Sequence, residues 1–144
     1  MKRGITLIEI LVVIAIISFL LGICLPAFQK ARLKGLIVKT KSIISSLESA
    51  LSMYESDFGD YPSGTGSSAI LVKLLQGPCE NPNWNGPYMR FKKEDIDENR
   101  NVVDAWKNPI LYKYPQSSYE NIPYLIVSAG PDRKFDTSDD IGNW

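Results

Sequence analysis

The sequence predicts an α+β chain. A long N-terminal helix, half membrane-spanning and half amphipathic, packs on a small antiparallel sheet followed by an acidic C-terminal loop. Three observations predict it. Ile5 to Leu25 is an almost unbroken apolar run, the stretch after Pro26 has apolar residues at spacings of three and four, and short β-type segments between turn formers follow. A chain of 144 residues with 44% apolar content leaves room for one small domain beyond the anchor. Formal net charge is zero, so nothing points to a nucleic-acid partner. There is no histidine, which removes Ser-His-Asp and Cys-His catalysis and every His-containing metal site, and an enzyme is not expected.

Between Ile5 and Leu25 only Thr6, Glu9, Ser18 and Cys24 depart from apolar or small residues. As a helix the run spans roughly 32 Å, enough to cross a bilayer core. Lys2 and Arg3 precede it, which also suits a secretory signal, but such a signal has a shorter apolar core and an A-x-A-like cleavage site. Glu9 is the second departure from a plain anchor. A carboxylate in a lipid-embedded helix costs a few kcal/mol, roughly, so it calls for a positive partner and a function. Were the chain cut between Gly4 and Ile5, the new α-amino group would supply that charge. It would lie about one turn away in the same subunit, or belong to a neighbour. Glu9 would then mark where subunits join.

Gly4-Ile5-Thr6-Leu7-Ile8-Glu9-Ile10, after a leader ending in glycine, resembles the class III signal of type IV pilins and type II secretion pseudopilins. The resemblance implies that prepilin peptidase removes residues 1–4 and that Ile5 is N-methylated, although most members have Phe or Met there. It implies a type IV pilin-like fold, with residues 5–26 crossing the inner membrane once and residues 27–144 forming a periplasmic domain. Pro26 matches the family's proline; lacking an N–H and clashing with the preceding turn, it should kink or loosen the helix. Loss of the leader removes Lys2 and Arg3 and leaves the mature chain slightly acidic. Lys30, Arg32, Lys34, Lys39 and Lys41 cluster just past the span. Counted by the positive-inside rule they would be cytoplasmic; the cleavage motif places the N-terminus there instead. The cluster reads as a solvated helix face or a contact with anionic headgroups, with a neighbouring subunit's acids as the alternative.

From Ala27 to about Phe58, Leu33, Leu36, Ile37, Ile43, Ile44, Leu47, Ala50, Leu51, Tyr54 and Phe58 define one helical face, so the membrane helix continues into the domain. Gly35 and the serines from Ser42 to Ser52 lie mostly off that face. Gly59 caps the helix and Pro62 stops it. Leu51 to Asp57 with Tyr61-Pro62 resembles the helix exit of major pseudopilins. Ser63 to Ser68 is Gly-rich but lacks the Gly-Lys-Ser/Thr of a phosphate loop, and reads as a flexible loop. A second helix is expected over Ser67 to Leu75, where Ile70, Leu71, Leu74 and Leu75 share a face, and Gly77-Pro78 stops it. Asn81 to Tyr88 is rich in turn formers, and Gly86-Pro87-Tyr88-Met89 resembles the family's entry to its sheet. Lys92 to Asn101 reads as an exposed loop. Cys24 in the span and Cys79 in a loop are not expected to pair.

Strands are expected at Ile110 to Tyr114 and Tyr124 to Ser128, within a three-stranded sheet covered by the long helix. Trp106, Tyr112, Tyr114 and Tyr124 are read as core and sheet surface. Asp104-Ala105-Trp106-Lys107-Asn108-Pro109 resembles the family's Asp-x-Trp-Gly-x-Pro turn. Lys107 replaces the glycine, at a cost if the backbone there is left-handed.

The last stretch, Ser128 to Gly142, holds Asp132, Asp136, Asp139 and Asp140 among turn formers. Such a set suits a hard cation, and calcium tolerates irregular geometry better than magnesium. It is not an EF-hand, and on spacing alone a solvated acidic turn is the other reading. Ser-Ala-Gly-Pro-Asp with Ser138-Asp139-Asp140-Ile141-Gly142-Asn143-Trp144 resembles the calcium loop of major pseudopilins. The resemblance implies side-chain ligands Asp132, Asp139 and Asp140, backbone carbonyls of Ala129 and Lys134, and Thr137 by hydroxyl or carbonyl, with Asp136 outside the set. It also implies a structural subunit of the type II secretion pseudopilus, polymerising with itself and with minor pseudopilins on an inner-membrane secretion platform to drive export across the outer membrane. Two other classes stay open. One is a type IV pilin of an adhesion, motility or DNA-uptake fibre, and the other a membrane-tethered calcium-binding domain that never polymerises.

Overall fold

The computed structural model of the chain describes residues 6–78 and 81–144. The leader, the Gly4–Ile5 cleavage position and Cys79 lie outside the described residues. The chain divides into two units, Met1–Gly35 and Leu36–Trp144.

In the first unit, helix α1 begins at Leu7 and continues through Pro26 without ending, reaching Phe58 in the second. Its start is closed by Thr6 and Glu9. The backbone N–H and hydroxyl of Thr6 each donate to Glu9 Oε2 at 3.2 Å, and the Glu9 N–H donates to Thr6 Oγ1 at 3.4 Å. This reciprocal Thr-x-x-Glu pairing satisfies donors that a helix N-terminus otherwise leaves open. The apolar stretch that follows is long enough to cross a membrane, and none of its most apolar window is buried. Leu7, Ile10, Leu11, Ile14, Ile17 and Leu21 all stand exposed. A surface of that extent demands lipid or other chains to cover it.

In the second unit, α1 buries Thr40, Ile44, Leu47, Ala50 and Leu51, a four-three spacing that keeps one stripe inward. Gly59 ends the helix at φ 75, its N–H donating to Glu55 O at 2.7 Å. Helix α2, Ala69–Gln76, turns Leu71, Val72 and Leu75 into the same core. The sheet is antiparallel in the order β1 (Gly64–Thr65), β2 (Leu111–Tyr114), β3 (Leu125–Ser128), β4 (Ile141–Gly142). Tyr112 sits opposite Ile126, and both are fully buried against the helix residues.

Three sequence expectations change. The sheet has four strands, not three, because Gly64–Thr65 pairs with β2 and Ile141–Gly142 with β3. The Gly-rich stretch is therefore an edge strand rather than a loose loop: its neighbours demand glycine, since a Cβ on Gly64 would sit 2.5 Å from the Tyr112 ring. The charged segment before Asn101 is mostly exposed loop, as expected. It forms a short 3₁₀ turn at Lys93–Asp95 and an Ile96–Val102 bridge, with the Asn101 N–H held by Asp97 Oδ1 at 2.7 Å. Helix α2, expected from Ser67, begins at Ala69; Ser68 makes no side-chain cap, and its buried hydroxyl accepts the Val102 N–H at 3.0 Å.

Candidate functional site

Two regions carry the residues expected to act. At the head of α1, Glu9 is exposed and its Oε2 is engaged by Thr6. The expected amine partner at Ile5 lies outside the described residues. The basic cluster Lys30, Arg32, Lys34, Lys39 and Lys41 is exposed throughout, and among the described residues none of the five forms an ion pair.

The acidic segment folds back on itself between β3 and β4. Ser128 and Ala129 are fully buried, and Gly130 turns with φ 62. A Cβ on Gly130 would collide with the backbone carbonyl of Asp139, so the two arms of the loop lie against each other there. Asp139 Oδ2 accepts the Asp132 N–H at 3.2 Å, and Asp139 Oδ1 accepts the Thr137 hydroxyl at 2.7 Å. The Thr137 hydroxyl holds the Asp139 carboxyl below the usual carboxylate value, with partial burial opposing it and the Asp132 N–H adding to the lowering. Asp140 Oδ2 accepts the Asp136 N–H at 2.8 Å, while Asp140 Oδ1 is buried with no hydrogen-bond partner. Asp132 Oδ1 closes an Asx turn on the Lys134 N–H at 2.8 Å, and the Asp132 side chain also lies beside the Asp139 carboxylate. Lys134 O accepts from the Thr137 hydroxyl at 3.2 Å.

The loop thus brings Asp139, Asp140, Thr137 and Lys134 together and ties Asp132 in by its backbone and its side chain. Among the described residues no three carboxylates, cysteines or histidines converge as a metal cluster. The donor set is nonetheless all oxygen, as a hard cation requires, and the unpartnered Asp140 Oδ1 is a buried acceptor in want of a donor or an ion.

The sequence reading missed Asp104. Its carboxylate is buried and accepts the N–H groups of Trp106 and Asn108, each at 2.8 Å, and the Ser128 hydroxyl at 2.6 Å. An aspartate two residues before an N–H inside a turn is itself a legible signal. The contact with Ser128, far along the chain, is not.

The family described as Type II secretion system (T2SS), protein G, matches residues 28–144, and the prokaryotic N-terminal methylation motif matches residues 1–25. Type II secretion system core protein G of Escherichia coli K12 is 36% identical over 143 residues, spanning 99% of this chain and 91% of that protein. Its counterpart in Pseudomonas aeruginosa is 33% identical over 146 residues, spanning 99% and 95%. Among solved structures, the major pseudopilin from the type 2 secretion system of enterohaemorrhagic E. coli superposes with a TM-score of 0.51 at 26% identity, covering 81% of this chain and 92% of that one.

Proposed function

This chain belongs to the type II secretion system protein G family, and from that premise we propose how it works as the structural, non-enzymatic subunit of the pseudopilus. The observation that carries the reading is the exposed apolar stretch of α1, a surface that lipid covers before assembly and other copies of α1 cover afterwards. The chain is anchored in the inner membrane by this helix, with its N-terminus cytoplasmic and residues 27–144 periplasmic. Prepilin peptidase cuts after Gly4 and Ile5 is methylated. The freed amine of one subunit then meets Glu9 of another as the helices pack, while minor pseudopilins and the inner-membrane platform organise growth that pushes cargo toward the outer membrane.

The Thr6–Glu9 pairing offers a second account of Glu9, that it serves only to cap its own helix. Glu9→Gln separates the two. Glutamine closes the same cap but carries no charge, so the full chain should insert in the membrane as before and fail to assemble into fibres seen by electron microscopy. Normal fibres from that variant would leave Glu9 as a cap alone. The reading as a pilin proper is tested by the same images, since long surface fibres would favour it.

The C-terminal loop is proposed to hold calcium. Asp139 and Asp140 supply carboxylate oxygens, Ala129 and Lys134 backbone carbonyls and Thr137 its oxygen, with Asp132 giving up its Asx turn to join them. Bound there, calcium supplies fixed positive charge that joins acids which otherwise repel. The buried unpartnered Asp140 Oδ1 and the charged state favoured at Asp139 support this. Because the loop has few apolar residues of its own, binding energy becomes folding energy for it. Thermal unfolding of the full chain in detergent micelles, with calcium or with a chelator, decides. Calcium should raise the midpoint of the native chain and leave Asp139→Ala unmoved; no rise in the native chain makes the loop a solvated acidic turn.

A further inference from the structure

Asp104 is only 2 % exposed, and its two carboxylate oxygens face different parts of the chain. Oδ1 closes its own turn, accepting the N–H groups of Trp106 and Asn108 at 2.8 Å. Oδ2 faces the start of the acidic loop, accepting the Ser128 hydroxyl at 2.6 Å and the Asn108 side-chain amide at 3.3 Å. The same two partners then hold both polar groups of Gly130. Its N–H donates to Ser128 Oγ at 3.1 Å, and its carbonyl accepts from Asn108 Nδ2 at 3.1 Å. Gly130 is the residue whose left-handed turn lies against the Asp139 backbone. Ala129, whose carbonyl is a proposed ligand, sits between Ser128 and Gly130 and so has a fixed residue on each side.

We propose that Asp104, acting through Ser128 and Asn108, positions the Ala129–Gly130 backbone against Asp139 and thereby sets how tightly the loop holds calcium. The inference rests on the calcium reading above. Asp104 touches no proposed ligand atom; it is a positioning residue. Its effect follows from preorganisation: a loop whose ligand backbone is already fixed loses less freedom when the ion arrives. The anchor extends to α1, because the Ala105 N–H beside Asp104 donates to the buried Thr40 hydroxyl at 3.2 Å. A periplasmic cation site and the helix that packs into the fibre are thus tied by one short chain of hydrogen bonds.

The test is calcium titration calorimetry on the full chain in detergent micelles, with Asp104→Asn, Ser128→Ala and the double variant. Asparagine keeps an acceptor for the Trp106 turn and puts a donor where Ser128 and Asn108 need an acceptor. Each single variant should raise the calcium Kd by about 10- to 100-fold. The double variant should lose little more than the worse single, because both break the same link. A purely structural Asp104 would lower the unfolding midpoint in chelator and leave Kd unchanged. Native Kd in both single variants overturns the inference alone, as do effects that multiply in the double. If Asp104→Asn does not fold, Ser128→Ala decides. A native chain that takes up no calcium overturns the calcium reading and this inference with it.

Discussion

Lys107 stands at φ 67, in the left-handed region where glycine rests without strain and lysine does not. The Asp104 turn imposes that conformation: the Lys107 N–H donates to Asp104 O, and its Nζ reaches Glu94 O at 2.6 Å. The sequence flagged this position, and the structure shows that the turn keeps its geometry despite the lysine. Lys107→Gly should therefore raise stability, by no more than about 1 kcal/mol after the extra freedom of glycine in the unfolded chain is counted. A rise in the urea midpoint at unchanged slope checks it. Tyr124 behaves differently. Burial first, then the nearby Glu48 and Tyr61, pushes its phenol from 10.0 up to about 12. A folded-state value above the unfolded one contributes stability that is complete below pH 10 and lost as pH climbs through 12. The urea midpoint should fall across that window, and fall less steeply in Tyr124→Phe. Equal slopes would mean that Tyr124 ionises alike in both states.

Among the elements, β1 shows how a two-residue strand is specified by what it packs on. Gly64 lies over the Tyr112 ring with no room for a side chain, while Thr65 is exposed. Gly64→Val should cost about 1–3 kcal/mol by displacing a buried ring, whereas Thr65→Val should stay within about 0.5 kcal/mol. Denaturant titration of the pair tests whether the edge is real, since a flexible loop would tolerate both. In α1 the inward stripe carries the load. Leu47 is wholly buried among Tyr112, Ile126 and the α2 leucines, so Leu47→Ala should cost about 2–5 kcal/mol. Met53, 58% exposed on the same helix, should not respond to the equivalent change.

For the whole molecule, the two units should fail separately. Glu9→Gln acts where α1 starts and should spare the calcium response of the folded domain. Asp139→Ala acts in the acidic loop and should spare membrane insertion, read by fractionation. A variant that lost both would tie the two functions more closely than the separate units suggest.

Much of this was legible in the chain itself because it is written in local patterns. The apolar run headed by Glu9, the inward stripe from Ile44 to Leu51, the Gly59 cap and the acids of the last loop each arise from residues a few positions apart, where helical period, capping and charge repulsion operate. The edge strand at Gly64, β4 at Ile141 and the role of Asp104 were not legible there. Each exists only because a distant partner supplies the missing half: Tyr112 for Gly64, Ser128 for Ile141 and again for Asp104. Backbone hydrogen bonds and buried carboxylates must find partners somewhere. The sequence determined that they would need them, and only the tertiary structure decided which ones.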